Sequence, residues 1–209
     1  MIKKSPTISI VNYGVGNLLS IKNVINKIGG NAIIIDDVDD LKNAEKIILP
    51  GIGAFDAGMQ YLQQKGWVDA LNEAAIKKKL PVLGICLGMQ LMCRKSQEGI
   101  LPGLGWLDAE VVKFNIPNNS TNKIPHMGWN AIDVKKQNAL VTNTQIEQRF
   151  YFVHSYHVVC NNPGDILATA THEYPFVAAI AHHNLFATQF HPEKSHRFGM
   201  ELLTHFLAV

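Results

Sequence analysis

Apolar and polar positions divide the chain into two parts with different periods. In the first, short apolar runs alternate with stretches whose apolar residues recur at helical spacing, the pattern of right-handed βαβ units and a largely parallel sheet. Residues 7–11 predict a first strand. After a Gly-rich turn, Leu18, Ile21, Val24, Ile25 and Ile28 mark one face of a helix that Gly29-Gly30 stops. Residues 32–35 and 46–49 predict the second and third strands, and 56–78 a helical stretch broken or bent near Gly66. A buried fourth strand, 81–85, runs into Cys86 and then a helix through about Cys93.

From Trp106 onward the pattern is short strands with turn signals, at 108–114, 149–159, 166–171, 176–181 and 185–190, with a polar loop at 115–122. This part is expected to be mostly antiparallel. His182-His183-Asn184 reads as an exposed hairpin turn, and 196–207 as a final helix with Leu202, Leu203, Phe206 and Leu207 facing the core.

The 209 residues suit one well-buried α/β domain spanning 1–209, with no repeat or linker. At 47% apolar and 17% charged, the composition is that of an ordinary globular protein. No apolar run reaches the roughly 18 residues of a membrane span, and no signal-like leader is seen, so a cytoplasmic location is expected. A net charge of +2 argues against nucleic-acid binding, and the basic run Lys77-Lys78-Lys79 reads as a helix end whose cations suit the dipole. Three cysteines, Cys86, Cys93 and Cys160, form neither a disulfide framework nor a zinc pattern.

The chemistry concentrates at two places. Gly84-Ile85-Cys86-Leu87-Gly88 lies between a strand and a helix, like a nucleophile elbow with cysteine in the serine position. Its glycines permit a sharp turn that thrusts the thiol outward, toward the amides that open the helix. His191-Pro192-Glu193 follows an apolar strand; in an extended segment the Glu193 carboxylate points the same way as the His191 imidazole and can orient it as a base. Acyl chemistry also needs oxyanion donors. Gly51, Ile52 and Gly53, after the third strand, and the amide of Leu87 are placed to supply them. Asn12-Tyr13-Gly14-Val15-Gly16-Asn17 with Asp36 resembles a dinucleotide fingerprint, but position 19 is leucine where a third glycine is needed. The histidine spacings match no metal site, and no cofactor is expected.

With these residues placed, the sequence resembles the class I (triad) glutamine amidotransferases. Within them, His-Met-Gly-Trp-Asn at 126–130, Phe-Val-His-Ser-Tyr at 152–156 and Gln-Phe-His-Pro-Glu-Lys-Ser at 189–195 resemble the glutaminase subunits of imidazole glycerol phosphate synthases. The resemblance covers nearly the whole chain. It implies a flavodoxin-like α/β fold, a central mostly parallel sheet flanked by helices with an added antiparallel region. It implies that Cys86 attacks the glutamine side-chain amide, that His191 protonates the departing ammonia, and that water then releases glutamate. Gln90, Gly53, Ser155 and Tyr156 are implied as glutamine contacts. Asn12, Trp129, Tyr151 and Lys194 are implied at a surface facing a (β/α)8 cyclase partner, with core packing as the other reading of Trp129 and Tyr151. The implied assembly is a heterodimer in which ammonia crosses the cyclase barrel to a nucleotide intermediate of histidine synthesis; length alone also leaves no room here for an acceptor site. Cys93, Arg94 and His157 depart from the family pattern.

Three other readings compete. A glutaminase serving anthranilate or pyridoxal phosphate synthesis would share the triad, but His-Met-Gly-Trp-Asn argues against it. A non-catalytic binding module has no physical reason to keep Cys86, His191, Glu193 and Gln90 together. A cysteine peptidase would need an open groove.

Overall fold

The computed structural model describes residues 6–141 and 146–209. β1 (Thr7–Val11) leads to α1 (Leu18–Lys27) and β2 (Asn31–Ile35). α1 starts where the Asn17 side chain accepts the Ser20 amide, and it stops before Gly29, whose φ of +83° few other residues adopt. β3 (Lys46–Gly51), α2 (Phe55–Gln64), α3 (Trp67–Asn72), β4 (Val82–Cys86) and α4 (Leu87–Leu91) complete the first part. β5 (Lys95–Ser96), β6 (Ala109–Lys113), β7 (His126–Ala131), β8 (Asp133–Val134), β9 (Arg149–His154) and β10 (Tyr156–Cys160) follow. β11 (Ile166–His172), β12 (Tyr174–His182), β13 (Leu185–Thr188) and α5 (His196–Ala208) close the chain.

Among the described residues one 11-stranded sheet runs β2-β1-β3-β4-β13-β12-β10-β6-β5, with β11 paired to β12 and β8 paired to β11. The first five strands of that order are parallel; the pairs β13-β12, β12-β10 and β10-β6 are antiparallel, and β5 lies parallel to β6. Alternate residues of one strand supply opposite faces: Ile47 and Leu49 pack with α2 and α3, while Ile48 packs with α1 and α5. The result is a sheet between two helical layers. β7 and β9 form a separate two-stranded ribbon.

Several expectations change. The stretch 56–78 breaks at Gly66, φ +72°, as expected, but its last part, Glu73–Lys77, winds as a π-helix. The helix after Cys86 ends at Leu91 rather than Cys93, because amides of the following loop capture its last carbonyls: Leu104 bonds to Leu91 and Trp106 to Met92. Arg94 accordingly leaves the helix and pairs with Asp108 and Glu110. The single strand expected over 149–159 is two, in different sheets, parted at Ser155. The last strand stops at Thr188. The hairpin at His182-His183-Asn184 is present, with His183 at φ +52°, but His182 is half-buried and bonded to Asp165 at 2.8 Å.

Because β1, β3, β4 and β13 are parallel, their C-terminal ends share one edge, which brings Asn12, Gly51, Cys86 and the segment leading to His191 together.

Candidate active site

Cys86 ends β4 with φ 54° and ψ −108°, a conformation costly for a residue with a side chain and typical of a strained elbow. Its neighbours show why glycine is needed there. A Cβ at Gly88 would stand 1.8 Å from the Leu49 carbonyl oxygen, and one at Gly84 2.5 Å from Met92 Sδ. The turn is therefore wedged against β3, and Cys86 is 7% exposed.

His191 is clamped through its backbone. Its amide donates to the Tyr151 carbonyl at 2.9 Å, and its carbonyl accepts from Ser195 Oγ at 2.6 Å, while Ser195 Oγ accepts the Tyr151 amide at 3.0 Å. The imidazole Nδ1 lies 2.8 Å from Glu193 Oε1, with both side chains almost wholly buried. A carboxylate only accepts, so Nδ1 carries the hydrogen and Nε2 is left free of protein partners, beside Cys86. His191 itself is extended, but Pro192–Lys194 is a 3-10 turn, so that turn, rather than strand alternation, brings Glu193 under the ring. Burial lowers the proton affinity of His191, yet Cys86 and Glu193 outweigh it and push its pKa up to about 10.

Beneath the thiol, Gly51 pairs in register with Cys86. A Cβ there would meet Tyr13 Oη at 2.6 Å; that hydroxyl donates to the Pro50 carbonyl at 2.6 Å. Gly51 is thus a packing glycine below the site, while Ile52 and Gly53, the latter at φ +101°, line a cleft of about 370 Å³ with Cys86, Leu87 and His191. Gln90, Ser155 and Tyr156 also line it, and Gln90 Nε2 donates to the Tyr156 carbonyl at 3.2 Å. The break at Ser155 is what turns these two residues into the cleft.

Three contributors escaped the sequence reading. Gln189 is fully buried, accepts from Gln90 Nε2 at 3.1 Å and donates to Cys86 Sγ at 3.8 Å. Ser195 makes the clamp just described. Glu98 lines the cleft and accepts the Phe55 amide at 2.9 Å at the start of α2. Gln189 and Ser195 sit inside the 189–195 run, where adjacency to His191 was the available signal; Glu98 had none.

Trp129 and Tyr151 face each other across the ribbon, edge to face at 6.2 Å. Trp129 is 42% exposed and stacks on His196 at 5.2 Å, and Lys194 Nζ sits 5.6 Å over the Tyr151 ring. Core packing does not describe Trp129, which is a surface group stacked on His196. Asn12 lies at the end of β1, its amide donating to Asp36 Oδ1 at 2.5 Å. Among the described residues, no three His, Cys, Asp or Glu side chains are grouped to hold a metal, and no helix is long and apolar enough to cross a membrane.

The model of the class I glutamine amidotransferase family matches residues 5–209. Imidazole glycerol phosphate synthase subunit HisH 2 of Methanococcus maripaludis is 48% identical over 96% of this chain and 98% of its own length. HisH 2 of Pseudomonas aeruginosa is 46% identical over 97% and 99%. Among solved structures, PurLQS from Thermotoga maritima superposes with a TM-score of 0.73 at 17% identity, covering 98% of this chain and 98% of that one. At that identity the likeness speaks for the fold.

Proposed function

Since the chain belongs to the class I glutamine amidotransferases, and within them to the HisH glutaminase subunits of imidazole glycerol phosphate synthase, we propose that Cys86, His191 and Glu193 carry its glutamine hydrolysis. The observation that carries this reading is a strained, outward-turned cysteine sharing a cleft with a buried His-Glu pair whose free nitrogen lies beside it. The Cys86 sulfur adds to the side-chain amide carbon, and the developing oxyanion is met by the Leu87 amide and by the Ile52-Gly53 backbone. A histidine that keeps its proton to about pH 10 then gives it to the nitrogen as the C–N bond breaks, and ammonia departs. Water adds to the thioester, losing a proton to His191; the C–S bond breaks and glutamate leaves.

Gln90, Ser155 and Tyr156 border the substrate, and the Glu98 carboxylate suits its α-ammonium group. Residues 1–209 are read as one catalytic domain, with Gly51 supporting the oxyanion segment from below. The partner is a (β/α)8 cyclase subunit, to which ammonia is channelled. Trp129, Tyr151 and Lys194, with 62%-exposed Met127 on the same face of the ribbon, form its docking patch, and Asn12 lies on the same edge of the sheet.

Glutamate formation by the chain alone, then with a cyclase and its nucleotide intermediate, tests both parts. Slow hydrolysis alone, strong stimulation by both additions and none with Cys86→Ala are expected. Hydrolysis that persists in Cys86→Ala overturns the nucleophile; Cys86-dependent hydrolysis that is never stimulated overturns the partner.

A further inference from the structure

Four histidines that this mechanism does not use surround Phe114 beside the cleft: His126 on β7, His154 on β9, His157 on β10 and His172 on β11. For two of them the partners dictate which nitrogen bears hydrogen. His154 Nδ1 lies 2.8 Å from the Tyr156 carbonyl, which can only accept, so Nδ1 donates. In a neutral ring His154 Nε2 is then an acceptor, and His126 Nδ1, 3.2 Å away, must donate to it. His126 Nε2 accepts in turn from the Asn130 amide at 3.2 Å, whose nitrogen also donates to the Thr171 carbonyl at 2.8 Å.

At the Tyr156 carbonyl this series of donors meets a second one. The same carbonyl accepts from Gln90 Nε2, which also donates to Gln189 Oε1, and Gln189 Nε2 donates to Cys86 Sγ. We infer that these two series, one from Asn130 through His126 and His154 and one from Gln90 through Gln189 to Cys86, joined at the Tyr156 carbonyl that both share, make His126 and His154 positioning residues for the thiol, each as a neutral Nδ1–H imidazole. It rests on Cys86 as nucleophile and goes beyond the triad. A proton added to His154 Nε2 sets two donors face to face between β7 and β9, and one added to His126 Nε2 sets it against the Asn130 amide within β7.

The surroundings keep both rings neutral. Burial pulls the pKa of His154 down to about 3 and that of His126 to about 4, where His172 adds repulsion. The other titratable groups facing the cluster are His157, also lowered by burial, His172 and Tyr174. Glu173 acts electrostatically with His172 and is itself bonded to Ser120 and Asn122.

The test compares His126→Phe, which keeps a ring against Phe152 and His172 but no nitrogen, with His126→Asn, which keeps an amide hydrogen near Nδ1. Read-outs are kcat/KM for glutamine, alkylation of Cys86 by iodoacetamide, and imidazole tautomers of the unsubstituted chain by 15N NMR. One lost hydrogen bond predicts a fall of about tenfold in both rates for Phe, recovery to within about threefold for Asn, and Nδ1–H on both rings from about pH 6 to 8. Equal losses in Phe and Asn, full rates in Phe, or an Nε2–H tautomer on either ring would overturn the inference. Should His126→Phe fail to fold, the Asn variant and the tautomers decide it. A wild-type chain that alkylates at Cys86 but never hydrolyses glutamine sinks the proposed function instead, and leaves this comparison intact.

Discussion

Among single residues, the proposed chemistry turns on one buried carboxylate. Glu193 Oε1 fixes the His191 tautomer at 2.8 Å and its charge helps to hold the ring protonated. Glu193→Gln keeps the shape and removes the charge, so His191 gives up its proton at lower pH. The expected outcome is a loss of about a hundredfold or more in glutaminase kcat, with the alkaline limb of the rate profile displaced downward from the region of pH 10. A pH series of both forms checks it. Cys86, His191 and Glu193 were legible in the sequence as candidates because each motif is local and its spacing has a stereochemical purpose. Gln189 was not, because its role depends on Gln90 and Cys86, 99 and 103 residues away.

Among the elements, strands place the site and helix ends secure the strands. Lys46, buried at the start of β3, donates from Nζ to the carbonyls of Phe206, Leu207 and Val209 at 2.9, 2.8 and 2.6 Å, satisfying the end of α5. Lys46→Met leaves those carbonyls without that donor and is expected to cost about 2 kcal/mol in denaturant unfolding. Because Lys46 opens the strand whose other end carries Gly51, kcat/KM in the folded variant should stay near the unsubstituted value. The ribbon of β7 and β9 was the least legible element. Its inward positions on β7 are His126 and Asn130, so the polar residues face in, and the apolar Met127 and Trp129 face out.

Across the molecule the same ribbon joins a surface patch to a buried histidine cluster, and that cluster should set acid stability. His126 and His154 have folded pKa values of about 4 and 3, below the unfolded value, so unfolding takes up protons as the pH falls from about 6.5 toward those values. Stability is then full above about pH 6.5 and declines below it, with His154 alone contributing on the order of 2 kcal/mol of loss between about pH 7 and 5. Urea unfolding at several pH values checks this. His126→Phe should shallow the decline.

Local sequence was enough for the parallel βαβ half, the elbow at Cys86, the pairing of His191 with Glu193 and the family resemblance, because these depend on short-range periodicity and motif spacing, although the turn that makes the pairing was read as extended chain. Long-range packing settled the rest. It parted residues 149–159 at Ser155 so that Tyr156 enters the cleft, ended α4 at Leu91 by capturing its carbonyls, and set Trp129 on the surface. Each outcome hangs on a hydrogen bond or packing contact between segments far apart in the chain, where neither local propensity nor spacing carries information.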